Sequence, residues 1–232
     1  MFTRKIICLA NSRKPPSGRC IAGKELDGPS DGQWIRPVSS RPSKEVSEEE
    51  RRYETGSKAQ KLDIIRVPLQ SPSPVGHQSE NYVLADDYYW AKEGKATWEQ
   101  VQSLIDPYEA NFWVQAASTF HGLNDKVSEI LASSIHTSLK LIVPEDFEIR
   151  VLVEEGYEGR PSRRRVRGNF DYCGKTYRLS VTDPRVEDEY LAKDVGCYPI
   201  ETVILCISLA EVWNGYAFRV VASVITPDQF EE

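Results

Sequence analysis

The chain has 232 residues, 40% hydrophobic and 28% charged, with a mean hydropathy of −0.46 and a formal net charge of −6. That length buries one large core or two small ones, and no apolar run approaches the ~20 residues that cross a bilayer. The acidic balance excludes attraction of a polyanion by the molecule as a whole, so nucleic acid would have to meet a local basic patch.

The first ~90 residues hold five strand-like runs: Lys5 to Ala10, Arg19 to Leu26, Gln33 to Ser39, Leu62 to Leu69 and Tyr82 to Trp90. Each is short, rich in Ile, Val, Tyr or Trp, and bounded by Gly, Pro, Ser or Asp. The apolar run Ile6 to Ala10 is too short for a signal-peptide core, so a first strand and a cytoplasmic protein with no membrane segment are expected. Between the third and fourth runs, SEEERRYE predicts one short helix capped by Ser47.

The middle of the chain predicts two helices: TWEQVQSLI, capped by Thr97, and NDKVSEILASSI, capped by Asn124 with Val127, Ile130, Leu131 and Ile135 as its stripe. Beyond them lie runs at Leu139 to Val143 and Glu148 to Val153, then a hairpin of Val166 to Tyr172 and Lys175 to Val181 turning at Cys173-Gly174. A short helix follows Asp183-Pro184, and two apolar runs joined at Asn214-Gly215 close the chain.

Strands without alternating helices disfavour an α/β fold. The order of strands around a helix predicts a mainly β protein with minor α: two oligonucleotide/oligosaccharide-binding (OB)-like five-stranded barrels joined by a short helical connector. The expected boundaries are 1–95 for the first barrel, with an insertion at 40–60, then 96–136 for the connector and 137–232 for the second barrel.

Four stretches, KIICLANSRKPPSGRCIAGKEL, WIRPVS, LSVTDP and FRVVASVI, together resemble the bacterial dual OB-containing domain family over almost the whole chain, ending near Ile225. The resemblance implies two OB-like barrels in one module and a role in nucleic-acid or nucleotide recognition. It carries over no catalytic residue.

Two basic groups are candidate ligand sites. The first is the opening loop and its neighbours, Arg13, Lys14, Arg19, Lys24, Trp34 and Arg36. Cations around an aromatic suit single-stranded nucleic acid, since phosphates take the charge and a base stacks on the ring. The plainer reading is a solvated turn with Trp34 in the core. The second group is Arg160, Arg163, Arg164, Arg165 and Arg167, read as a phosphate-gripping loop at the mouth of the second barrel, with Lys175 and Tyr177 of the next run added to the set. Glu154, Glu155 and Glu158 offer these arginines an internal counter-charge.

Other chemistry is weakly marked. Asp183, Glu187, Asp188 and Glu189 are better read as partners of a helix N-terminus than as metal ligands. Five cysteines without CxxC spacing and three dispersed histidines predict no metal site and no cofactor. A non-enzymatic module binding single-stranded nucleic acid or a nucleotide is therefore expected; the alternative is an adaptor that docks a partner effector protein.

Overall fold

The computed structural model describes residues 1–85, 87–108, 112–114, 116–156, 159 and 161–231. Strand makes up 49% and helix 10%, so the protein is mainly β as expected. No helix among the described residues is long and apolar enough to cross a membrane. The chain forms two compact units. One comprises Met1–Ile105, His136–Ser138 and Phe230–Glu232, the other Asp106–Ile135 and Leu139–Gln229.

The first unit contains β1 (Phe2–Lys14), β2 (Gly18–Glu25), β3 (Trp34–Val38), β4 (Asp63–Pro72), β5 (Asn81–Leu84), β6 (Ala91–Lys95) and α1 (Trp98–Ser103). Its sheet order is β1-β2-β3-β5-β4-β6, and β4 pairs back onto β1, closing a five-stranded barrel. Pairing is antiparallel except between β3 and β5. β1 serves two partners: its first half pairs with β4, from Phe2 opposite Leu69 to Ile7 opposite Ile64. A bulge between Cys8 and Ala10 then bends it, and Asn11–Lys14 continue with β2. Sharing both edges buries Ile6 through Ala10 completely, and burial pushes the Cys8 thiol up to about 12. Ile21, Ile35, Ile65, Val67 and Trp90 complete the core around it.

The helix expected after β3 does not form. Ser47 and Glu50 do cap each other, Glu50 N to Ser47 Oγ at 3.2 Å and Ser47 N to Glu50 Oε2 at 2.7 Å. The turn stops there because the next side chains are drawn inward. Arg51 donates to the Ala59 carbonyl (2.9 Å) and the Tyr53 hydroxyl to buried Asp63 (2.7 Å). Tyr53 and Val46 thereby join the barrel core.

The second unit contains β7 (Lys126–Ser128), α2 (Glu129–Ala132), β8 (Leu139–Ile142), β9 (Glu145–Glu154), β10 (Arg163–Tyr172), β11 (Lys175–Val181), α3 (Pro184–Leu191), β12 (Gly196–Pro199), β13 (Ile204–Leu209) and β14 (Tyr216–Ile225). The order β9-β10-β11-β14-β13 repeats that of the first barrel, again with the third and fifth strands parallel; here, unlike in the first unit, a helix follows the third strand. It is extended to eight strands by β12 beside β9, β8 beside β13 and β7 on β14. Phe147, Ile149, Val151, Val166, Phe170, Leu179 and Val221 fill its core.

The stretch expected as a helical connector, 96–136, holds α1 capped by Thr97 as expected, but no long second helix. Asn124 is not a cap: residues 126–128 pair with β14, and α2 is one turn capped by Ser128. The β-branched Val127 is worth more against Ala217 in a sheet than on a helix face.

Gly23 sits opposite Cys8 at the β1 bulge, where an added Cβ would lie 2.1 Å from the Ile7 carbonyl oxygen. Gly23→Ala is expected to lower stability to urea by about 1–3 kcal/mol through overpacking. An unchanged denaturation midpoint would show that the bulge relaxes to accept it.

Candidate nucleic-acid interface

In the first unit the six basic and aromatic candidates separate into two sets. Arg13, Lys14 and Arg19 lie at the end of the β1–β2 hairpin, with Arg13 directly opposite Arg19 and Lys14 opposite Gly18. Like charges facing across a ladder repel, and acidic residues of the 40–60 segment answer them. Glu45 is held below the ordinary carboxylate range chiefly by Ser43, with Arg41 and Lys14 adding to it. Glu48 is held low first by Lys58 and in smaller part by Arg51 and Arg19.

Lys24, Trp34 and Arg36 turn into the unit instead. Lys24 Nζ donates to the Leu104 carbonyl at 2.8 Å and sits 5.3 Å over the Trp34 ring, which is only 8% exposed. Arg36, 2% exposed, lies 3.2 Å from Glu80, and Ser138 hydrogen-bonds the same carboxylate. The expected open face of Trp34 beside Arg36 is thus interior, because β3 is covered on both sides.

In the second unit the arginine run is strand rather than loop. Arg163 to Arg167 open β10 and pair residue by residue with Glu154 to Arg150 of β9. Strand alternation then divides them. Val166 and Phe170 face the core, so Arg163, Arg165, Arg167 and Asn169 face outward, beside Glu148, Arg150, Leu152 and Glu154 of β9 and Arg178 and Ser180 of β11. This one sheet face gathers five arginines against two glutamates and, toward the turn, Asp171.

The two glutamates are committed. Arg167 makes a two-pronged pair with Glu154, 2.6 Å from Nε and 3.0 Å from Nη2, and a third bond to Ser180 at 2.9 Å. Arg150 pairs with Glu148 at 2.5 Å, and Arg178 donates to Asn169 at 3.2 Å. Arg163 and Arg165 remain exposed at the start of the strand. Arg164, on the opposite face, donates to the Lys193 carbonyl. Arg160 and Glu158 lie outside the described residues.

An aromatic reaches this arginine end from elsewhere in the chain. Leu123 exchanges backbone hydrogen bonds with Arg178, and the His121 ring contacts the Glu155 carbonyl at 3.1 Å, so the segment 118–125 links β11 to the residue that follows β9. Phe120, 86% exposed, rests edge-on against His121 with ring centroids 4.8 Å apart. Sequence reasoning missed Phe120, His121, Arg150 and Arg178. Strand periodicity marks the two arginines, whereas no local signal marks Phe120.

Lys175 and Tyr177 stand apart from the arginines, at the far end of the β10–β11 hairpin. Tyr177 faces inward, stacked on Phe170 with centroids 5.3 Å apart. The acidic set is structural at its head: Asp183 caps α3 through Arg185 N (3.2 Å) and accepts from Val224 N (3.3 Å). No three His, Cys, Asp or Glu side chains converge as a metal site among the described residues.

Compared with known proteins, residues 4–224 match the model of a family described as a dual OB-containing domain. No curated protein and no solved structure gives a match.

Removing one partner of a buried, doubly bonded ion pair leaves the other charge stranded, typically at about 3–5 kcal/mol. Glu154→Ala is therefore expected to lower stability to urea by roughly that amount, whereas Glu48→Ala, at an exposed pair, should cost far less. Equal effects from the two variants would contradict the assignment of the Arg167–Glu154 pair as structural.

Proposed function

Because the chain belongs to the dual OB-containing domain family, we propose that it is an OB-fold binding module that takes single-stranded nucleic acid on the outward face of β9, β10 and β11. The observation that carries this reading is the exposure of Arg163 and Arg165 at the start of β10, with the open ring of Phe120 packed on His121, which meets the chain just beyond β9, and with Glu148 and Glu154 of the outer face already held by Arg150 and Arg167. The face of strands 2 and 3, here β10 and β11, together with the loops after strands 1 and 4, is the surface OB folds use for oligonucleotides. Exposed guanidiniums neutralise phosphates, and a solvent-facing ring stacks on a base of any identity. In the first unit, Arg13, Lys14 and Arg19 supply a weaker second contact, tempered by Glu45 and Glu48. No residue is assigned a catalytic role.

A second reading, docking of a partner protein, is favoured by one observation. Ile130, Trp213 and Tyr216 are exposed and brought together where β7 and the start of α2 meet the β13–β14 turn. These apolar groups lie away from the arginines, so the two surfaces are separable by mutation.

Fluorescence anisotropy with short labelled DNA and RNA tests the main reading. Affinity should fall with added salt, by about 0.7 in log–log slope for each phosphate neutralised on a single strand. Arg163→Glu with Arg165→Glu should weaken binding at least ~10-fold and reduce that slope. Phe120→Ala should cost about 1–3 kcal/mol with little change in slope. Absence of binding at low salt would sink the reading. Loss of partner capture in a Trp213→Ala variant that still binds oligonucleotide would support the second surface.

A further inference from the structure

The second unit holds another cation, at the opposite end of its sheet, that the nucleic-acid reading does not use. Arg219 of β14 is 2% exposed and points inward. Its Nη1 donates to the Asn124 carbonyl at 3.0 Å, and its Nη2 donates to the carbonyls of Phe112 and Val114, both at 2.7 Å. Among the described residues its Nε has no acceptor. The guanidinium lies 5.3, 5.9 and 5.7 Å from the ring centres of Phe112, Trp113 and Tyr177.

Among the described residues no carboxylate pairs with this charge. Asp125, whose field reaches it, is occupied by Thr119, through its amide at 2.7 Å and its hydroxyl at 2.6 Å. Burial lowers the Arg219 pKa to about 10, which leaves the group cationic at neutral pH. A buried cation held only by carbonyl dipoles lacks the counter-charge such groups normally acquire.

Arg219 lines a cavity of about 260 Å³ with Val114, Ala116, Asn124, Lys175 and Tyr177, a lining of two cations and, among the described residues, no acid. Next to it, Trp113 has a backbone φ of +61° and a buried indole N–H without an acceptor. A bulky residue in the left-handed region is held there by its surroundings, a condition that gathers at ligand sites. The cavity opens at the end of the sheet where β11 and β14 begin, and the mouth of a β-barrel is a favoured place for small ligands.

We propose that this cavity binds a small oxyanion, a phosphate or carboxylate group held between Lys175 and the Arg219 guanidinium. The site is independent of the arginine face: β10 runs ten residues from Arg163 to the turn before Lys175, which separates the two by roughly 30 Å. The anion supplies the counter-charge that Arg219 lacks and the acceptor that its Nε lacks. Lys175, exposed at the rim, controls entry.

Calorimetric titration of the full chain with inorganic phosphate, adenosine monophosphate and succinate, in low-salt buffer, tests the site and distinguishes a free phosphate from a nucleotide or a carboxylate. Saturable binding of at least one of them is expected. Arg219 ties three carbonyls, so its replacement would confound folding with binding; the informative variant is Lys175→Met, which should weaken binding roughly tenfold or more while keeping the melting temperature of the unliganded protein. Arg163→Glu with Arg165→Glu should leave it unchanged. The proposal is overturned if none of the three probes saturates by ~10 mM, if Lys175→Met binds like the parent, or if the Arg163/Arg165 variant loses the anion. Failure of oligonucleotide binding with the anion retained would remove the nucleic-acid reading alone.

Discussion

The parallel contact between the third and fifth strands is the constraint on which both units depend. Parallel neighbours cannot be joined by a tight turn, so the strand between them in sequence must leave and return. In the first unit β4 does this by crossing to β1, and the barrel closes. In the second, β13 goes to the far side of β14 and meets β8. The same contact sets where chemistry gathers. Because β11 and β14 run the same way, Lys175 and Tyr177 begin beside the segment that carries Arg219, while the start of β10, with its arginines, is sent to the other end.

Much of this architecture was legible wherever apolar alternation and turn chemistry agree. Asp183-Pro184 starts α3 as read, and the turns at Cys173-Gly174 and Asn214-Gly215 take the positive φ values their residues allow. Elements built by long-range pairing were not legible. β6, with the sequence AKEGK, has no large apolar residue and exists because β4 offers it an edge. The helix foreseen at 47–54 has good local signals, yet Arg51 and Tyr53 gain more from burial partners than from a helical ladder.

The site was legible in composition more than in placement. The arginine run was visible as charge, but whether it lay on a loop or a strand depended on β9, which converts a cluster into an alternating face. The period-2 argument for Trp34 and Arg36 assumed a strand with one wet side, and β3 has none. Phe120 and Arg219 were invisible for the same reason: Phe120 is placed through His121, which meets Glu155, 34 positions away, and Arg219 meets Phe112, 107 positions away. Acidic residues near basic runs proved informative, since Glu154 singles out Arg167 as structural and leaves Arg163 and Arg165 for the solvent.

The three-part make-up of the first unit has a consequence during synthesis. The barrel strands are complete at Leu84, and the buried Arg36–Glu80 pair is already in place. The hydroxyl of Ser138, which also binds Glu80, leaves the ribosome 54 residues after Leu84, roughly 3–10 s later at ordinary elongation rates. For that interval the nascent barrel carries a buried carboxylate short of the two donors, hydroxyl and amide, that Ser138 provides, so its final consolidation must wait for chain that lies beyond the whole 106–135 segment of its neighbour.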